Sequence, residues 1–286
     1  MSDGRPIELA AGRWPGGHRS ALCVSVDVDG PYGELNYQPP ANWYEISQAE
    51  YDATGVDRLL HLLADVDVAA TFCWVGRAAE DEPRLVERAA TEGHEIALHS
   101  WDHRGYRSMT PEGQHDDLLR SAETLVRIVG RAPVGHKTAS WNYDDATHAL
   151  AQSIGLEWVM DRPTGDLPTL LQADASLPPL INLPPARHYD DYTFFVDRTV
   201  TPQATFEFWR EDLDVLRSEG GLMCLTLHPF VSGRPGPSRA LARLLDYAVD
   251  LGDVWIARAD EVARWWRGRS GAASPVSRLP SPQEPR

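Results

Sequence analysis

The chain has 286 residues, a length suited to one α/β barrel with decorated loops, and 42% of it is apolar, enough for a sizeable core. Its formal charge of −15 argues against nucleic acid and anionic membrane surfaces as partners. No run approaches the roughly 20 apolar residues of a membrane span, and no basic start leads into an apolar leader, so the expectation is a soluble cytoplasmic protein.

Along the chain, β-rich runs alternate with helical periodicity. Residues 21–26 form a short strand-like run that stops at Asp27. Residues 31–52, rich in Pro, Tyr, Asn and Trp, are a long connection of the kind that is usually functional. A helix is expected over 52–63, with Val56, Leu59, Leu60 and Leu63 on its apolar face, then a strand over 68–75. Residues 82–91 read as a helix ended by Gly93, and 95–98 as the strand that leads into His99. Thr110 and Pro111 open the next helix as N-cap and first turn, and Gly130 closes it. A turn-rich strand over 133–141, a helix over 144–154 and a strand over 158–160 follow, then a loop over 161–180. Residues 207–218 are helical, 222–227 are a strand into His228, 238–251 are a helix, and 254–257 are a last strand. Cys23, Cys73 and Cys224 lie inside apolar runs and read as buried, reduced thiols. The alternation predicts a parallel sheet with helical crossovers, most simply a barrel. Residues 1–267 read as one catalytic domain and 268–286, poor in apolar residues, as a disordered tail.

The chemistry-bearing residues recur just past the C-terminal ends of expected strands, where parallel α/β barrels carry their active sites. Asp27 and Asp29 are one residue apart, so a regular strand points both to one face. Two carboxylates that close repel unless a cation or proton lies between them. His99 and His103 are four apart, and a helical turn would put them on one side, a spacing frequent in zinc sites. Asp29, His99 and His103 together could form a one-carboxylate, two-imidazole metal site, leaving Asp27 as a base and His228 as an acid. Hydrolysis of a stable amide needs that set, because water must become nucleophilic and the leaving nitrogen must gain a proton. An Asx turn at Asp27–Gly30, a surface His103 and a turn histidine at 228 are the plainer readings of the same residues. His94 begins its strand at the opposite end and is excluded as a ligand. His115, His136, His148 and His188 are expected at the surface or behind the site.

These segments, with Arg13-Trp-Pro-Gly-Gly, Asn182-Leu-Pro-Pro followed by Asp190-Asp191, Leu227-His228-Pro229-Phe-Val-Ser-Gly-Arg-Pro, Val254-Trp-Ile-Ala and Trp265-Trp266, resemble the polysaccharide deacetylase superfamily, carbohydrate esterase family four. The resemblance runs from Arg13 to Trp266. It is strongest to a cytoplasmic branch of peptidoglycan-deacetylase-like proteins, cyclic imide hydrolases and metal-independent allantoinases. It implies a distorted seven-stranded (β/α) barrel with long decorating loops. By position it implies Asp27 as general base, His228 as general acid, and Asp29, His99 and His103 as ligands of a divalent metal, Zn2+ or similar. The full ligand set favours the metal-dependent members over the allantoinases that lack it. Lys137 stands where the family carries an arginine that contacts the catalytic aspartate, and Ala139 where proline is common. Lysine keeps the charge but loses the planar two-pronged contact.

The implied function is hydrolysis of a C–N bond, removing an N-acyl group or opening a cyclic imide in a small-molecule or glycan-fragment substrate. Lys137, Trp141, Asp191 and Trp43 are candidates for substrate contact or support, and Tyr32, Tyr37, Trp43 and Tyr44 for an aromatic wall over the pocket. Asp161 and Asp166 fall in a loosely aligned region and are at most supporting groups. A homo-oligomer is expected from the branch. The competing readings are a catalytically silent binding protein on the same barrel and an esterase of O-acyl groups.

Overall fold

Burial on both faces explains why the strands read as continuous apolar runs. The structure is a computed structural model that describes residues 14–36 and 42–279; Arg13, Tyr37 and the segment 280–286 lie outside the described residues. β1 spans Ser20–Val28, and all nine of its residues are buried. β2 (Thr71–Trp74), β3 (Glu95–Leu98), β4 (Gly135–His136), β5 (Trp158–Val159), β6 (Thr169–Leu171), β7 (Leu180–Asn182), β8 (Leu222–Leu227) and β9 (Val254–Ile256) follow.

The sheet order is β6-β7-β5-β4-β3-β2-β1-β8, and β9 also pairs with β1. One edge of β1 is shared: Ser25–Val28 pair with β2, while Ser20–Leu22 pair with β9. The pairings are parallel except β6 with β7. From β7 round to β8, seven parallel strands curl into a half-barrel that helices surround, which is the distorted (β/α) barrel expected from the sequence. Between β7 and β8 the described residues make one bridge, Asp190 with Thr226.

Alternation along β1 separates two apolar layers. Leu22, Val24, Val26 and Val28 belong to the large core shared with the helices, whereas Ala21 and Cys23 join Cys73, Trp158 and Cys224 in a second cluster inside the curl. All three cysteines are free and buried, as their apolar surroundings predict. Trp14 packs against Trp255 and Trp266 at ring-centroid distances of 6.0 and 5.8 Å, so the first and last of the resembling segments meet.

Helix Pro111–Val129 starts as its sequence dictates: the Thr110 side chain accepts from Gly113 N, and Gly130 ends the helix at φ 74°. Two stretches read as loops contain regular elements. Residues 31–52 hold short helices Tyr32–Leu35 and Trp43–Gln48. Residues 161–180 hold β6, whose Thr169 and Leu170 are exposed, so burial left no apolar run to read. The expected boundary at 267/268 falls inside helix Ala259–Ser270. Beyond it, Arg278 N donates to Ile154 O at 2.9 Å and Leu279 is buried, so the described part of the tail packs on the domain. Among the described residues, no helix is long and apolar enough to cross a membrane.

Candidate active site

β1 brings Asp27 to its inward face at the strand end, and Asp29 follows one residue past it. Both are buried, at 3% and 6% exposure. Asp29 Oδ1 lies 3.4 Å from His99 Nε2, and its Oδ2 lies 3.5 Å from His103 Nε2. The ligand atoms these three residues offer lie within 4.8 Å of one another.

The two histidines do not sit on a helical turn, as the spacing predicts. Residues 99–105 are an irregular loop, with Ser100 and His103 at φ 66° and 62°. Those positive angles turn the rings together, edge to face at 5.2 Å. Non-glycine residues held in that region cost about 1–3 kcal/mol each and cluster at functional sites. His99 Nδ1–H donates to the Lys137 carbonyl at 2.7 Å, which leaves the Nε2 lone pair toward Asp29. Burial holds the His103 imidazole below its ordinary pKa against the pull of Asp29, so its ring is neutral, the form that ligates.

Asp29 Oδ1 is buried with no hydrogen-bond partner among the described residues. A buried carboxylate oxygen without a donor is costly unless a cation meets it. One carboxylate and two imidazole nitrogens facing one point are a donor set that suits Zn2+ or a similar divalent ion. The residues therefore fit a metal.

Lys137, 1% exposed, follows β4 and places Nζ 2.7 Å from Asp27 Oδ2. Burial alone would raise the Asp27 carboxyl, but the Lys137 ammonium, with His99 and His228, holds it below its ordinary value. Burial opposes the Lys137 charge in turn, and Asp27 outweighs it and raises its pKa. Both members are thus ionised, and Asp27 Oδ1 has no hydrogen-bond partner among the described residues.

β8 ends at Leu227, and the ring of His228, the next residue, faces the same point, with Nε2 4.0 Å from Asp29 Oδ2. Its Nδ1–H donates to Asp191 Oδ1 at 2.7 Å, and its main-chain N–H donates to Asp191 Oδ2 at 2.9 Å. Burial disfavours the imidazolium, yet Asp191, then Asp190 and Asp29, push its pKa up to about 10. Asp190 is itself pushed up to about 6, chiefly by burial.

Asp27, Asp29, His99, His103, Lys137, Trp141 and His228 line one cleft. Asp191 lies beneath it, with no exposure. Ser140 and Trp141 hold consecutive positive φ angles of 52° and 50°, which turns Trp141 into the wall. Trp43 is a correction: it is 81% exposed and does not line the cleft. The capping box between Asn42 and Glu45 starts its helix so that Glu45 and Gln48 face the cleft instead. Tyr32 is also turned away, its hydroxyl donating to Asp81 Oδ2 at 2.5 Å. His136 lies behind the cleft rather than at the surface. It is fully buried and stacked on Tyr106, and burial lowers its pKa to about 4. Asp161 is a support: it accepts from Thr138 N at 2.8 Å and pairs with His148 Nε2 at 3.0 Å. Asp166 bonds through its main-chain carbonyl to Leu222 N, away from the cleft.

Asp52 went unrecognised in the sequence because it reads as the start of a helix. It accepts from Gly30 N at 3.0 Å and so braces the loop after Asp29. Burial, and then Asp29, push its carboxyl up to about 7. Glu34, Arg187 and Tyr192 complete the wall, and no spacing or periodicity points to them.

Residues 47–159 match the family model for polysaccharide deacetylase. Over this stretch the chain is similar to polysaccharide deacetylase domains. A peptidoglycan deacetylase from Helicobacter pylori is 24% identical to this chain over 248 residues, covering 75% of it and 85% of the relative. A solved structure from Mycobacterium smegmatis, assigned to the polysaccharide deacetylases, is 28% identical with a TM-score of 0.83, covering 96% of each chain. The PuuE allantoinase, 23% identical with a TM-score of 0.83 over 94% of this chain and 98% of its own, shares the fold. The named deacetylase relatives indicate a hydrolase that acts on C–N bonds.

Proposed function

We propose that this chain is a metal-dependent hydrolase that removes an N-acyl group, or opens a cyclic imide, in a small molecule or glycan fragment. The observation that carries the proposal is the buried Asp29 carboxylate, whose Oδ1 faces His99 Nε2 and whose Oδ2 faces His103 Nε2, and whose Oδ1 has no hydrogen-bond partner among the described residues. Asp29, His99 and His103 would hold a divalent cation, which would supply the Lewis acidity that activates water and polarises a carbonyl.

The chain's own residues do the proton work. Asp27, kept ionised and fixed by Lys137, takes a proton from the attacking water through its open Oδ1. His228, kept protonated by Asp191, gives its Nε2 proton to the leaving nitrogen. The base and the acid stand on neighbouring strands, so the scissile bond lies between them. Trp141, Tyr192 and Phe230 give the cleft apolar faces against which the substrate packs.

The experiment is mass spectrometry of zinc-supplemented protein incubated with cyclic imides and N-acetylated sugars in one panel. Loss of an acetyl group supports the deacetylase arm, and gain of one water by an imide supports ring opening. No turnover of either class contradicts the proposal.

A further inference from the structure

Below Asp27 the curl holds a second polar layer. Ser25 and Thr226 are partners in the β1–β8 register. Each lies two residues before a proposed proton-transfer residue on its own strand, Asp27 or His228, and therefore on the same inward face. Both are buried, at 0% and 1% exposure. Lys137 enters this layer from the end of β4, with Nζ 2.7 Å from Asp27 Oδ2, 2.8 Å from Thr226 Oγ1 and 3.3 Å from Ser25 Oγ. An ammonium has three N–H groups, and here three oxygens take them. Ser25 Oγ donates its own proton to the Leu225 carbonyl at 2.7 Å, so toward Lys137 it acts as an acceptor. Thr226 also forms the main-chain bridge to Asp190, the neighbour of the residue that grips His228.

We infer that Ser25 and Thr226 form a seat for a lysine ammonium, and that Thr226 is a positioning residue that fixes the Lys137–Asp27 pair against the strand carrying His228. The inference deepens the proposed function and rests on Asp27 as its base. It also accounts for the departure at position 137. A guanidinium is planar and presents its donors as a fork, so it does not direct one N–H to each of three converging oxygens. The layer is buried, so leaving one of these polar atoms without its partner is costly.

The test compares Thr226→Val, Thr226→Ser and Lys137→Arg, with kcat, KM and bound zinc measured for each. Thr226→Val keeps the shape and removes the acceptor; kcat should fall about 10- to 100-fold, with KM and zinc content unchanged. Thr226→Ser should restore most of the rate, and Lys137→Arg should lose at least as much as the valine variant despite its charge. Wild-type kcat in Thr226→Val, or equal losses for valine and serine, overturns the seat. Should Thr226→Val fail to fold, Ser25→Ala is read in its place, with a smaller expected loss because its contact is longer. A second readout needs no turnover: the Lys137 ammonium signal in protein labelled with nitrogen-15 lysine. Three hydrogen bonds should keep its protons in slow exchange, and Thr226→Val should speed that exchange. If the exchange speeds up while the wild type turns over no amide, the seat stands and the base assignment falls. If the exchange is unchanged, the seat falls.

Discussion

Asp191 grips His228 at two points: one carboxylate oxygen accepts the ring Nδ1–H at 2.7 Å and the other accepts the main-chain N–H at 2.9 Å. The grip fixes the ring plane and leaves Nε2 facing the cleft. It is also the chief reason that the imidazolium persists to about pH 10 despite burial.

Asp191→Asn should move the basic limb of the kcat profile from about pH 10 toward neutrality. The sign follows from linkage. The folded pKa is raised above the ordinary value of about 6.5, so the stabilisation from this pair is complete below about pH 6.5 and is lost as pH rises through the folded value. Melting temperatures of both proteins across that window supply the check. The gap between wild type and variant should narrow toward alkaline pH, and a constant gap would mean that the pair does not titrate as described.

His228→Ala should slow hydrolysis of simple amides far more than that of substrates whose leaving group needs no proton. General acid catalysis contributes roughly 10^2–10^4-fold, and that factor should be visible with the poor leaving group. Rates for an N-acetyl amine and an activated ester or anilide make the comparison. Equal slowing of both would remove His228 from the acid role.

Asp27→Asn should leave bound metal unchanged while kcat falls by roughly 10^2–10^4-fold, because the amide cannot take the proton. Metal content by elemental analysis and turnover on the same sample separate base from ligand. Substantial remaining turnover would refute the assignment.

Gly55 ties the fold to the site. A Cβ added there would meet the Pro229 carbonyl oxygen at 2.2 Å, and Pro229 directly follows His228. Main-chain atoms cannot step aside as a side-chain tip can, so Gly55→Ala should cost about 1–3 kcal/mol or more. The lower melting temperature should come with a lower kcat, because the short helix Pro229–Ser232 that follows His228 must move. A variant with wild-type stability would show that Gly55 and Pro229 are not so closely packed.

What was legible in the sequence is what short-range patterns encode. The runs ending at Asp27, Leu98 and Leu227 became strands, because an inner strand buried on both faces leaves an unbroken apolar run. Thr110 and Gly130 marked helix ends through their own chemistry. The placement of Asp27, Asp29, His99, His103 and His228 in one cleft follows from strand ends sharing one side of a parallel sheet. The illegible parts depend on distant contacts. Asp52 reaches Gly30 across 22 residues, and Thr226 reaches Lys137 across 89. Trp43 looked like a wall residue because aromatic content alone does not give direction, which its helix cap sets instead. The His99–His103 spacing suggested a helix, whereas two positive φ angles bring the rings together.

The most direct measurement is a titration of Zn2+ into chelator-stripped protein, followed by hydrolysis of an N-acetylated substrate, alongside Asp29→Ala. Turnover in the wild type should rise from baseline and saturate at one ion per chain, while Asp29→Ala should neither retain the ion nor turn over. Stripped protein as active as the zinc-loaded protein, or an active Asp29→Ala, would contradict the metal-dependent account.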